Sequence, residues 1–121
     1  MPEDSSSKKD VVIPTASVVL AAFMTGRSMA TQEVYRRDLR AFASFCRKGM
    51  PELIEILMSP QTGRERVLLL VRSFRDDMRC RGLAPGTVGR RLAAIRGISR
   101  TARVLGFLDW SLPVDLDSAE S

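Results

Sequence analysis

Apolar residues recur along this chain with the spacing of α-helices rather than the alternation of β-strands. The clearest stripe is Tyr35, Leu39, Phe42 and Cys46, whose intervals of four, three and four place the side chains on one helical face, with Phe45 at its margin. Two later stretches have the same spacing: Val67, Leu70, Val71, Phe74 and Met78, then Val88, Leu92, Ile95, Ile98, Ala102 and Leu105. The pattern predicts an all-α fold with one core.

Capping residues, glycines and prolines predict where the helices begin and end. Ser28 is a typical first cap, and Gly26, Gly49, Gly82 and Gly106 stand where helices should stop. The predicted helices cover 15–25, 28–48, 51–58, 64–81 and 85–105. We therefore expect a compact four- to five-helix bundle.

The chain divides into three parts by composition. Residues 1–14 are polar and should form a flexible segment, residues 15–106 should form the helical domain, and residues 107–121 should be an acidic linker. No run approaches the roughly 18 apolar residues of a membrane span, and the amino terminus is too acidic for a secretory signal. We expect a soluble, cytoplasmic protein in which Cys46 and Cys80 are buried, reduced thiols.

The helix after Gly82 combines a tight turn with a basic surface. Gly82 can end the preceding helix in the left-handed conformation, and Pro85 suits the first position of the next. No acidic residue lies between Ala84 and Gly106. Because the free N–H groups of a helix amino terminus favour phosphate, nucleic acid is the natural partner. Gly89 and Gly97, inside this helix, indicate either the close approach of another helix or of a DNA backbone, or a break near Gly97.

Positive charge is concentrated in the middle of the chain. Residues 27–106 contain all sixteen arginines and one lysine against seven acidic residues, whereas residues 107–121 contain four acidic residues and no basic one. A basic folded part is the charge distribution expected of a nucleic-acid-binding domain. A solvated surface or an arginine-rich genome would give the same charge, but the guanidinium fork is the group that grips phosphates and guanine edges.

Residues 18–24 are apolar on nearly every face of their predicted helix. One small core cannot cover every face, so the surplus either meets a neighbouring protein or is wedged between other helices.

Two stretches of the sequence match the pattern of a known protein family. The first, residues 28–46, combines Thr31, Tyr35, Asp38-Leu39 and Phe42. The second is Arg81-Gly82-Leu83-Ala84-Pro85-Gly86-Thr87-Val88, followed by Arg90-Arg91-Leu92 and Ile95. They resemble the second and fourth helices of the SAM-like core-binding domain of the tyrosine recombinases, the phage-integrase family, with the Cre recombinase as the nearest pattern. With Leu108-Asp109-Trp110, the resemblance covers residues 15–112.

The resemblance implies a domain that grips a recombination half-site during DNA recombination and integration, as one arm of a clamp closed by a separate carboxyl-terminal catalytic domain. The DNA-binding candidates that it implies are Thr31, Val34, Arg37, Arg40, Gly86, Thr87 and Arg90. Gly86 stands where the Cre pattern has a lysine. It also implies that the first helix contacts neighbouring recombinase protomers, through Val19, Phe23 and Met24. The residues themselves add further candidates, as phosphate contacts: Arg47, Arg81, Arg91, Arg96 and Arg100.

Catalysis is not expected of this chain by itself. Family chemistry uses a nucleophilic tyrosine supported by histidines among other groups, but the chain has no histidine, and its one tyrosine, Tyr35, lies on the apolar stripe. We expect an amino-terminal part of an integrase with double-stranded DNA as partner, and no metal, cofactor or small-molecule substrate. Two other interpretations remain: a helix-turn-helix-like regulator, and a stand-alone helical protein-interaction module whose arginines only solvate it.

Overall fold

The computed structural model describes residues 15–59, 61–113 and 116, and within them the chain forms five α-helices and no β-strand. The helices are α1 (Thr15–Met24), α2 (Met29–Phe45), α3 (Met50–Leu57), α4 (Gly63–Cys80) and α5 (Pro85–Val104). The all-α prediction is confirmed, and nine of the ten helix ends lie within one residue of the predicted positions. The predicted flexible segment 1–14 lies outside the described residues.

α5 is the central helix of the bundle, because α1, α2 and α4 all pack against it. Its buried residues form one broad face of the helix: Val88, Leu92, Ala94, Ile95, Ile98, Ser99 and Ala102. The helix runs unbroken through Gly97, where the ring of Phe23 on α1 comes so close that a Cβ atom would lie 2.8 Å from it. Gly97 therefore marks a close approach between α1 and α5, not a break.

Aromatic contacts join the amino-terminal helices to one another and to α4. The Phe42 ring on α2 lies 5.1 Å from that of Phe74 on α4, and Phe45 lies 5.3 Å from the same ring. On the α1 side, Phe23 and Tyr35 are 5.1 Å apart with tilted rings. Such tilted pairs are favourable beyond the apolar area they bury. The predicted stripe of α2 thus faces both α1 and α4.

The carboxyl end of α2 differs from the prediction. α2 ends at Phe45, three residues before the expected Lys48, because Arg47 takes the left-handed conformation with φ 59°. The Lys48 N–H then donates to the Ala43 carbonyl at 2.9 Å, which closes the helix in the manner usually provided by glycine. At the end of α4 the expected residue has this role: Gly82 has φ 80°, and the Leu83 N–H donates to the Met78 carbonyl at 3.1 Å.

The segment after α5 returns to the body of the fold instead of leaving it. Leu112 and Leu116 are buried in the core. The Arg64 Nε donates to the Ser111 carbonyl at 2.9 Å, and the Arg75 Nη1 donates to the Leu116 carbonyl at 3.1 Å. Leu112 and Leu116 of the predicted linker thus pack against the helical domain, and Arg75 is buried where it binds this segment.

Several burial predictions are also corrected. Val19, Phe23 and Met24 are at most 5% exposed, since they face the other helices of the same chain, so they form no exposed surface for a neighbour. Leu105 is 43% exposed rather than buried, and Cys80 is exposed rather than buried, while Cys46 is partly buried. Both cysteines are free thiols. Within the described ranges, no helix combines the length and the apolar character that a bilayer crossing needs.

Candidate nucleic-acid interface

A buried ion pair joins the two helices for which DNA contacts are expected. The Asp38 carboxylate on α2 is fully buried, and Arg90 on α5 donates to both of its oxygens, from Nε at 3.0 Å and from Nη2 at 2.8 Å. The Arg90 side chain is still 45% exposed. Its guanidinium is thus held in one orientation by two parallel hydrogen bonds, with its remaining N–H groups free to face solvent.

Arg91 lies beside the same carboxylate. Its Nε is 3.9 Å from the Asp38 Oδ1, too far for a hydrogen bond, and it is buried without another partner among the described residues. The Arg91 Nη1 contacts the Met78 sulfur at 3.9 Å. The hydrogen bonding that Arg90 donates to the Asp38 carboxylate is the main cause that raises the pKa of Arg90 above its ordinary value. Asp38 thus holds a pair of cations at the junction of α2, α4 and α5.

A groove opens at this junction. It has a volume of about 310 Å³ and is lined by Ala41, Ser44 and Phe45 from α2, Asp77 and Arg81 from the end of α4, and Arg91 from α5. Arg81 forms an exposed ion pair with Asp77 at 3.0 Å, and an exposed pair of this kind contributes little stability. We call this the α2 groove. It brings together Arg81 and Arg91, two of the predicted phosphate contacts.

The predicted residues of α2 do not all share one face. Successive residues in the row Thr31, Val34, Arg37 and Arg40 are three apart, so each step turns back by about 60° around the helix. Val34 and Arg37 share a face with Ala41 and Ser44, and so extend the α2 groove toward the amino end of α2. Thr31 and Arg40 point to opposite sides, with Thr31 half-buried and Arg40 exposed.

The amino terminus of α2 is closed by its own residues. The Ser28 hydroxyl accepts the Thr31 N–H at 3.1 Å and donates to the Thr31 hydroxyl at 3.0 Å, so Thr31 keeps its own hydroxyl hydrogen for another partner. Arg27, which was not singled out from the sequence, lies over the rings of Phe23 and Tyr35 at 4.8 and 4.9 Å. This stacking fixes a cation beside the start of α2.

The amino terminus of α5 is open. Ala84 provides no side-chain cap, and Pro85 has no N–H. The Thr87 N–H makes a short-range bond to the Ala84 carbonyl at 3.0 Å. Nothing lies within 4 Å of the position a Gly86 Cβ would occupy. Gly86 is exposed, and its N–H lies in the first turn at the positive end of the helix dipole, where phosphate binding is favoured.

The other predicted arginines lie elsewhere. Arg47 is exposed beyond the end of α2. Arg96 and Arg100 line a different cleft, with Arg103, Ser111 and Leu112. Some of the twelve predicted DNA contacts therefore lie at the α2 groove and the start of α5, and the others lie on separate surfaces.

Asp38 is the residue that sequence reasoning missed at this site. The family pattern included it, but only as a marker of resemblance. The sequence does contain a signal for it. Helical spacing puts residue 38 on the same side as Phe42, so the Asp38 carboxylate should face the core although the arginines next to it in sequence are exposed. A carboxylate in that position needs a cationic partner, and only the packing of α5 shows that the partner is Arg90.

Tyr35 is placed as a packing residue. Its ring is partly buried between Phe23 and the guanidinium of Arg27. This contact agrees with the expectation of a packed ring rather than a nucleophile.

The comparison with known proteins finds sequence similarity to a tyrosine recombinase. Over 89 residues, 71% of this chain, the sequence is 39% identical to a tyrosine recombinase of Synechococcus elongatus. No family model matches the chain, and no solved structure does. The matched stretch spans 27% of the length of that recombinase. This identity makes the chain a relative of the tyrosine recombinases, with a recombinase-related role.

Proposed function

We propose that this chain is the core-binding domain of a tyrosine recombinase and that it holds duplex DNA against the α2 groove and the start of α5. The observation that carries the proposal is the Asp38–Arg90 ion pair, because it joins the two helices of the family pattern through a cation that remains accessible. The relationship to a tyrosine recombinase makes DNA the natural ligand of this surface.

The groups around the α2 groove suit a sugar–phosphate backbone. Arg37 is exposed, Arg81 and Arg91 line the groove, and Gly86 is exposed at the positive end of α5. Phosphate contacts of this kind position a protein on the duplex, while side chains that reach base edges supply sequence specificity. We assign Val34 and Thr87 to that second role, since both are half-buried beside the arginines.

Arg90 contributes a preorganised guanidinium. Because Asp38 already occupies Nε and one N–H of Nη2, the outward N–H groups are held in place before DNA arrives. Strand cleavage belongs, in this proposal, to a part of the parent recombinase that these residues do not include. In the full protein, the catalytic domain and neighbouring protomers are the further partners we propose.

A fluorescence titration of the chain with duplex DNA at several salt concentrations tests the proposal. Replacing Arg37 and Arg81 with glutamine should weaken binding and reduce the slope of log Kobs against log salt by about 2, since each substitution leaves one phosphate without its cation. The matched control is Arg66→Gln with Arg72→Gln, since both arginines are exposed on α4 and line a separate cleft. Arg90 is unsuitable for this test, because its replacement would leave Asp38 buried without its partner.

The outcomes separate the proposal from its alternatives. Equal weakening by both double substitutions would indicate a diffuse cationic surface and overturn the assignment to the α2 groove. Absence of DNA binding at low salt would favour a protein-interaction module. A regulator of the helix-turn-helix type is disfavoured by helix length, because α4 and α5 have 18 and 20 residues, longer than that compact unit requires.

A further inference from the structure

An acidic residue lies in the wall of the α2 groove. Asp77, in the last turn of α4, lines this groove beside Arg81 and Arg91. Its Oδ2 accepts a hydrogen bond from the Arg81 Nε at 3.0 Å. Because like charges repel, the Asp77 carboxylate opposes the entry of the phosphates that the two arginines attract. The groove therefore contains its own opposing charge.

The fold gains little from Asp77. The Asp77 and Arg81 side chains are 39% and 54% exposed, and solvent screens an ion pair of this kind. The last turn of a helix is also the negative end of its dipole, where a carboxylate is unfavourable. Because water reaches both groups, Arg81 can exchange Asp77 for another anion while α4 stays folded. Stability thus does not account for an acidic residue at this place.

Asp38 and Asp77 stand in different relations to their arginines. Asp38 is fully buried and accepts two hydrogen bonds from Arg90, so its charge is neutralised inside the protein and does not meet a ligand. Asp77 accepts one bond from Arg81 and is open to solvent, so its charge acts on whatever enters the groove. A buried carboxylate orients its arginine, whereas an exposed one competes with the ligand for it.

We propose that Asp77 competes with backbone phosphate for Arg81 and so lowers the affinity of this chain for duplex DNA of arbitrary sequence. The inference rests on the proposed function, in which the α2 groove holds the sugar–phosphate backbone. A duplex that enters the groove has to displace the Asp77 carboxylate from Arg81. A repulsive group of this kind disfavours the many duplexes that are held by charge alone.

A double-mutant cycle with a fluorescent duplex of mixed sequence tests the competition. Asp77→Asn keeps the size of the side chain and removes its charge. It should strengthen binding by about threefold, the fold-change that corresponds to the loss of one exposed ion pair. In the Arg81→Gln background the same substitution should change binding by less than about 1.5-fold, because no arginine remains for which Asp77 competes.

Glu65→Gln is the matched control, because it removes the same charge elsewhere on α4. Glu65 is exposed and lines a separate cleft with Arg66 and Arg72, and twelve residues of helix place it about 18 Å from Asp77 along the axis. At about 0.1 M salt this distance exceeds the Debye length, so Glu65→Gln should leave binding nearly unchanged. Equal strengthening by Glu65→Gln and Asp77→Asn would show an effect of net charge alone and overturn the proposal.

The remaining outcomes separate this inference from the proposed function. Weaker binding by Asp77→Asn would show that Asp77 orients Arg81 for DNA, and equal strengthening with and without Arg81 would show general repulsion; either result overturns the competition. If Arg37→Gln with Arg81→Gln leaves DNA binding intact, the proposed function fails and this inference fails with it. If that double substitution weakens binding while Asp77→Asn leaves it unchanged, only this inference fails.

Discussion

Asp38 is the residue on which the geometry of the candidate interface depends most. It is fully buried and accepts both hydrogen bonds of the Arg90 fork. A buried carboxylate without a partner destabilises the folded state. Removing one partner of a buried ion pair therefore lowers stability more than replacing both partners with apolar residues. Arg90 therefore has two roles, since it neutralises a core charge as well as presenting a cation to solvent.

Arg90→Gln should lower the free energy of unfolding by about 3 kcal/mol, because it leaves the Asp38 carboxylate without its main partner. This value is the low end of the range for breaking a buried ion pair, since water reaches residue 90 and Arg91 stays near the carboxylate. Urea denaturation measures the change. Arg37→Gln, on an exposed arginine of α2, should change stability by no more than about 0.5 kcal/mol. Adding Asp38→Asn to Arg90→Gln should restore part of the lost stability, because no buried charge then remains unpaired. If Arg90→Gln lowers stability equally in the presence of Asp38 and of Asn at that position, the pairing is contradicted.

The two thiols should react at different rates. Burial raises the pKa of the Cys46 thiol, against a smaller opposite effect of Lys48, whereas Cys80 is exposed. A higher pKa leaves less thiolate near neutral pH, and the thiolate is the reactive form. We expect one fast and one slow phase with a chromogenic disulfide reagent, and Cys80→Ser should remove the fast phase. If Cys80→Ser instead removes the slow phase, then Cys46 is the more accessible of the two thiols.

At the scale of the elements, α5 is the helix that holds the bundle together. It contacts α1, α2 and α4, and its side facing α1 has no room for a side chain at Gly97. The Phe23 ring cannot easily retreat, because it is 4% exposed and lies against Tyr35 and Arg27. The glycine permits a helix crossing that any larger residue would obstruct.

Gly97→Ala should lower the free energy of unfolding by about 1–2 kcal/mol, since the strain of overpacking exceeds the roughly 1 kcal/mol that alanine gains in a helix interior. Gly86→Ala in the same helix is the matched control, because nothing lies within 4 Å of its added Cβ. Thermal denaturation of both variants gives the comparison. A stabilised Gly97→Ala protein would show that α1 moves aside freely.

At the scale of the whole molecule, the returning segment completes the core. Leu112 and Leu116 are buried, and Arg64 and Arg75 hold the carbonyls of Ser111 and Leu116 along α4. Because residue 111 binds near the start of α4 and residue 116 further along it, the segment runs in the same direction as α4.

Ending the chain at residue 106 should therefore destabilise the domain. The removal of two buried leucines, at about 1.5–3 kcal/mol each, predicts a decrease of about 3–6 kcal/mol in the free energy of unfolding. Leu116→Ala should reproduce part of this decrease, while Asp109→Asn, an exposed residue of the same segment, should not. An unchanged melting temperature for the shortened chain would contradict the packing of this segment.

Local signals were enough to predict the secondary structure. Apolar spacing indicated the helices, and Ser28, Gly82 and Pro85 act where caps and turns were expected, because these effects depend on neighbouring residues alone. The early end of α2 is the exception: Arg47 adopts a conformation that sequence patterns assign to glycine.

What the sequence by itself determined was the helical class, the approximate helix limits, the arginine-rich surface and the two stretches of recombinase pattern. Only the tertiary structure decided that Arg90 neutralises Asp38 and that Arg75 is buried. It also decided that Val19, Phe23 and Met24 face inward and that the arginines of α5 line two different clefts. The reason is physical: spacing along a helix gives the direction of each side chain, but its partner and its exposure depend on residues distant in sequence that packing brings beside it.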